Sequence, residues 1–104
     1  MRLEHYSAIK LKKEITTLVG RYLDLKNGGY KIFFFGSRVT GKGDEKSDID
    51  VGIEGKDKIA AKTMSKMKEE IENLSILYKI ELVDFRKVSS DFKKVALKKI
   101  ERII

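Results

Sequence analysis

The chain contains no cysteine, which excludes disulfides and thiolate metal sites at the outset. It has a single histidine, His5, far in sequence from any acidic motif, and this reads as a surface residue rather than a ligand. No stretch approaches the ~20 apolar residues of a membrane span. The opening residues, MRLEHYSAIKLKKE, carry acidic side chains and lack the unbroken apolar core of a signal peptide, so cytoplasmic residence is the default expectation. Proline is also absent, and with abundant Lys and Glu this composition suits a heat-adapted host. No internal repeat, linker or low-complexity segment is visible. At 104 residues, one domain spanning 1–104 is expected, with a single core and no second lobe.

Charge of one sign is in excess: the formal net charge is +7. A positive field attracts anions, and nucleotide, RNA or an acidic protein partner would each fit it. A solvated Lys-rich surface accounts for the same charge without any polynucleotide.

The informative stretch is Lys31 to Ile53, KIFFFGSRVTGKGDEKSDIDVGI. The apolar run Ile32 to Phe35 is long enough for a buried strand and stops at Gly36-Ser37. A polar, Gly-rich loop, Arg38 to Ser47, leads to Asp48 and Asp50 inside a second apolar run. In an extended segment alternate side chains share a face, which puts the two Asp roughly 6.5–7 Å apart along the chain. Carboxylates that close repel each other unless a cation sits between them, and hard divalent ions such as Mg2+ take oxygen ligands of this kind. Gly36-Ser37 is expected to open a short helix whose free N–H groups can hold an anion. An anion cradle beside a metal-binding Asp pair is a site for a nucleoside triphosphate. The same stretch also fits the first seven positions of the P-loop pattern, from Gly36 to Lys42. Against that reading, position eight is Gly43, which lacks the hydroxyl that ligates Mg2+, and the residues that follow begin poorly as a helix.

Elsewhere the periodicity predicts helices over 3–25, 57–75 and 88–104. The last carries Phe92, Val95, Ala96, Lys99, Ile100 and Ile103 as its inner stripe. The apolar end, Ile103-Ile104, is expected to dock on the chain's own core or on another protein. Leu77 to Phe85 reads as a third strand with Ile80, Leu82 and Asp84 on one face. Asp84 is either a turn residue or, given the Asp pair upstream, a third carboxylate on a neighbouring strand. The Asp pair favours the second reading.

Gly36-Ser37, ten intervening residues and Asp48-Ile49-Asp50 resemble the G-S-x10-D-x-D signature of the DNA polymerase beta-like nucleotidyltransferases. With Arg38, Gly41 and Ser47 also in place, the stretch is similar to the minimal nucleotidyltransferase (MNT) group. The resemblance implies an α/β (α+β) fold, a small mixed sheet flanked by helices that forms the catalytic palm. It implies two Mg2+ ions held by Asp48, Asp50 and Asp84, with ATP as substrate. It also implies a nucleotide-binding set of Gly36, Ser37, Arg38 and Ser47, in which Gly36 and Ser37 hold phosphates, Arg38 pairs with phosphate or a partner, and Ser47 orients the Asp strand. Members of this kind are commonly antitoxins beside a HEPN-domain ribonuclease toxin, which they silence by moving AMP onto a tyrosine. Two alternatives stay open. One is a binding module that neutralises such a toxin by contact. The other is a nucleotidyltransferase for a small molecule or RNA, with an oligomer supplying the acceptor surface.

Overall fold

The structure is a computed structural model describing residues 1–44 and 46–104; Glu45, in the loop before the Asp pair, lies outside the described residues. Four strands form one sheet in the order β3-β2-β1-β4, where β1 is Lys31–Phe35, β2 Ile49–Glu54, β3 Ile80–Asp84 and β4 Glu101–Arg102. β1 runs antiparallel to β2 and β4, and β3 runs parallel to β2. The sheet is therefore mixed.

Two helices cover one face. α1 (Ala8–Gly20) buries Leu11, Ile15, Leu18 and Val19, and α3 (Ala61–Glu72) buries Met64, Met67 and Ile71. Both stripes follow the helical repeat read from the sequence. They close over Ile32, Phe34, Ile49, Val51, Ile53 and Leu82 from the sheet. The opposite face carries a smaller cluster, Phe33, Phe35 and Phe85, against which α4 (Ser90–Ala96) brings Ala96 and its C-terminal flank Leu97 and Ile100. Gly52 sits where a Cβ would fall 2.5 Å from the Phe33 ring and 2.7 Å from that of Phe85. Its missing side chain makes room for those rings.

The helices are shorter than the periodicity suggests, each for a local reason. The Ser7 hydroxyl accepts from Lys10 N (3.2 Å), so α1 starts behind this cap instead of at Leu3. Ile59, before α3, is tied by its N–H to Asp84 Oδ2 (2.7 Å) and so takes no part in the helix. α4 starts at a Ser89 cap and ends at Ala96, whereas the spacing predicts helix to 104. The tail instead satisfies the open edge of β1. Ile103 N and Ile104 N donate to Ile32 O at 2.8 and 3.1 Å, and Ile103 and Ile104 pack on the main core. The apolar end thus docks on its own chain.

The inner stripe expected for the last helix is also redistributed. Phe92 is 44% exposed and Val95 66%, and both line a cleft, Phe92 keeping one side against the buried rings of Phe35 and Phe85. Among the described residues no helix is long and apolar enough to cross a membrane.

Candidate functional site

The loop between β1 and β2 and the start of β3 meet at one end of the sheet. β1 ends at Phe35 opposite Asp50, and Gly36 turns the chain at φ +82°, ψ −162°, backbone space that essentially only glycine occupies. A Cβ on Gly36 would stand 2.2 Å from Asp50 Oδ2. The glycine is thus needed both for the turn and for the carboxylate lying against it.

α2 (Ser37–Thr40) follows at once and stops at Gly41, φ +82°. The Ser37 carbonyl accepts from Lys42 N (3.1 Å) and Gly43 N (3.0 Å), folding the loop back on the helix. A P-loop would need the helix to begin beyond Gly41-Lys42, where here it ends. A Cβ on Gly43 would meet the Ser37 and Ser47 hydroxyls at 2.8 and 3.0 Å, which puts both hydroxyls beside the same glycine.

Arg38 and Ser47 brace this loop. Arg38 Nε donates to Ser47 O (2.8 Å), and its guanidinium lies over the Tyr78 ring, 4.9 Å from the centroid. Ser47 Oγ accepts from Asp44 N (3.0 Å). These contacts hold the residues just before the Asp pair. Lys42 and Lys46 are exposed, as is His5, whose N–H donates to the Tyr78 hydroxyl (3.0 Å).

Asp48 and Asp50 are both half-buried at this end, and Asp48 Oδ2 is 4.0 Å from the exposed Lys79 ammonium. Burial, then the charge of Asp48, then that of Glu81, push the Asp50 carboxyl above the ordinary carboxylate range. The last cause names a residue the sequence reading passed over. In the parallel β2–β3 ladder Asp50 is the register partner of Glu81, and paired residues share a face.

Asp84 does not join this cluster, which corrects the expectation that it would. It is paired with Ile53, a residue of the helix-covered core, so it points to the other face. It also lies three residues, about 10 Å, further along the strand. There it is buried, with Oδ2 accepting from Ile59 N (2.7 Å) and Oδ1 from Arg86 N (2.9 Å). Both oxygens serve the backbone, which is the work of a turn residue. The signal for Glu81 was present in the sequence: a carboxylate interrupting an apolar strand on the Val83 side. Nothing in the sequence said which side of β3 would meet Asp50.

Asp48, Asp50 and Glu81 are hard oxygen donors of the type Mg2+ takes, and a divalent cation would relieve the charge that Asp48 and Glu81 put on Asp50. Among the described residues, no group of three or more His, Cys, Asp or Glu side chains is placed to hold a metal ion by itself, so substrate oxygens would have to complete the coordination. The carboxylates border a cleft of 590 Å³ whose lining includes Gly36, Asp50 and Glu81 on one side and Val88, Phe92 and Val95 on the other.

The raised Asp50 carboxyl has a measurable consequence. A group that holds its proton more tightly when folded contributes stability below its unfolded pKa and loses it as pH rises through the folded value. At neutral pH the ionised Asp50 is therefore a net cost. Asp50→Asn should melt above the wild type at neutral pH, with the gap closing below about pH 4. Thermal melts across that range check this, and a gap that widens on acidification would contradict it.

The family profile described as "Polymerase beta, Nucleotidyltransferase" matches residues 21–104. A curated relative, "Probable protein adenylyltransferase MntA" of Haemophilus influenzae, is 26% identical over 93 residues, covering 89% of this chain and 82% of the relative. Among solved structures, a toxin–antitoxin complex with AMP-PNP superposes with a TM-score of 0.71 at 18% identity, covering 89% of this chain and 72% of that one. A complex of tri-AMPylated Shewanella oneidensis HEPN toxin with its MNT antitoxin gives 0.68 at 16% identity, covering 92% and 71%. The mixed four-stranded sheet with its flanking helices is the fold of those MNT structures. With the profile spanning most of the chain and the turn at Gly36 lying against Asp50, the protein belongs to the polymerase beta nucleotidyltransferase family and is a nucleotidyltransferase.

Proposed function

We propose that this nucleotidyltransferase moves AMP from ATP to a tyrosine hydroxyl of a partner HEPN-domain toxin, and so acts as its antitoxin. The observation that carries the reading is the pairing of Asp50 with Glu81 across β2 and β3, with the charge of Asp48 acting on Asp50 and the turn at Gly36 lying against it. The donor and acceptor come from the relatives: one is described as a protein adenylyltransferase, one complex was solved with AMP-PNP, and another holds an AMPylated HEPN toxin.

Asp48, Asp50 and Glu81 would hold the divalent ions, Glu81 taking the place first assigned to Asp84. When bound, two such ions neutralise charge on the entering and leaving oxygens of an in-line displacement. The chain's own residues position the reactants. The turn at Gly36 presents the backbone and hydroxyl of Ser37 to the β- and γ-phosphates. Arg38 and Ser47 keep the Asp pair in register with that turn through the bond from Arg38 Nε to Ser47 O. The tyrosine oxygen attacks the α-phosphorus, the bond to pyrophosphate breaks, and Glu81, exposed at the cleft, takes the phenolic proton and passes it to water. The net positive charge favours approach of the polyanionic nucleotide.

The test is transfer of label from α-labelled ATP, with Mg2+, to a purified HEPN-domain toxin co-expressed with this chain. Label should appear on a tyrosine of the partner and vanish with Asp48→Ala, and toxin inhibition should vanish with it. Inhibition that persists in Asp48→Ala without label would replace the enzyme with a contact antitoxin. Label on added RNA or a small hydroxyl compound instead would reassign the acceptor.

A further inference from the structure

The cleft that holds Asp50 and Glu81 has a second wall that the chemistry above leaves unused. α4 turns Phe92 and Val95 towards it, and both stay exposed, at 44% and 66%. A large aromatic left open on a helix already packed against a sheet is surface the fold has not covered. The Phe92 ring is held in place. It meets Phe35 edge-on at 6.1 Å and Phe85 at 5.9 Å, and both of those rings are buried. One side of Phe92 is thus fixed by the satellite core while the rest lines the cleft. Its neighbours on that wall, Val88, Val95 and Ala96, bring no charge.

The cleft therefore has two kinds of wall, a turn and carboxylates from the sheet and an aromatic ring from α4. A nucleoside triphosphate likewise has two parts, a charged tail and a flat π-face. Val88, Phe92, Val95 and Ala96 offer the charged tail no cation, whereas the carboxylate wall can hold it once a divalent ion is bound. A flat apolar ring finds its surface on Phe92. The volume, 590 Å³, lies within the usual range for a small-ligand pocket.

We infer that Phe92 is the stacking platform for the nucleobase of the nucleotide substrate, with Val95 and Val88 flanking it. This rests on the nucleotidyl-transfer reading and adds a binding residue to it. Because stacking engages only the π-face, the platform contributes affinity to the nucleoside part and none to the phosphates.

The experiment is calorimetric titration of the purified chain with Mg-ATP and, separately, with Mg-tripolyphosphate, for wild type, Phe92→Ala and Phe92→Trp. Circular dichroism confirms that each variant is folded. Phe92→Ala should weaken ATP binding by on the order of tenfold and leave tripolyphosphate binding unchanged. Phe92→Trp should keep ATP affinity, its emission quenched by ATP and unaffected by tripolyphosphate. Equal loss of both ligands in Phe92→Ala, or no loss of either, overturns the assignment. So does a variant that binds ATP normally but no longer engages its protein partner, which would make the wall a partner contact. If the wild type transfers label normally while Phe92→Ala binds ATP unchanged, only the platform fails. A wild type that neither binds ATP nor transfers label sinks both.

Discussion

Glu81→Gln should lower nucleotidyl transfer by on the order of a thousandfold, equivalent to about 4 kcal/mol of transition-state stabilisation, with no loss of thermal stability. Glu81 is exposed, so its charge can be removed without leaving a buried polar group unpaired, and the repulsion on Asp50 falls. Asp84→Asn should behave in the opposite way. One of its two oxygens becomes an NH2 facing a backbone N–H, either that of Ile59 or that of Arg86. Leaving a buried donor unsatisfied costs about 1–3 kcal/mol. In a domain of this size that lowers the melting temperature by roughly 4–8 °C per kcal/mol. The rate per folded molecule should stay near wild type. Rates measured well below each variant's melting point, together with the melts themselves, separate the two. A dead but fully stable Asp84→Asn, with Glu81→Gln active, would return the third carboxylate to residue 84.

Gly36→Ala should disable the site and destabilise the fold together. The turn at φ +82°, ψ −162° is strained for any L-residue, at about 1–3 kcal/mol. The added methyl would also fall 2.2 Å from Asp50 Oδ2, so that carboxylate must move. Transfer should fall at least as far as in Glu81→Gln, because the displaced group is one of the cluster itself. Gly41→Ala is the matched control. It has the same φ of +82° but a left-handed helical ψ, with nothing within 4 Å of its would-be Cβ. It should cost about 1–2 kcal/mol of stability and keep transfer close to wild type. If the two variants lose activity equally, backbone strain in the loop matters and the contact with Asp50 does not. Melting temperature and labelled-ATP transfer are the readouts for both.

These contrasts follow what could and could not be read along the chain. The apolar stripes of α1 and α3 were legible because helical spacing repeats locally, and their ends were misjudged because caps and tethers outrank periodicity. Ser7 stops α1, and Asp84 draws Ile59 out of α3. α4 was read too long because Ile100, Ile103 and Ile104 continue a helical pattern, yet the open edge of β1 offered Ile103 and Ile104 backbone partners that a helix extension could not match. Phe92 and Val95 were assigned to the core by the same pattern, and the geometry instead leaves them at the cleft.

By itself the sequence determined the end of β1 at Gly36, the short helix behind it, and the strand that carries Asp50, since each depends on neighbours a few residues apart. Only the tertiary structure decided which side of β3 meets Asp50. Period-two alternation sorts β3 into Ile80, Leu82 and Asp84 on one side and Glu81 and Val83 on the other. Because both faces of this sheet are partly covered, hydrophobicity does not label them. The label comes from the register of two strands separated by a whole helix, which pairs Asp50 with Glu81 and turns Asp84 towards the backbone of Ile59.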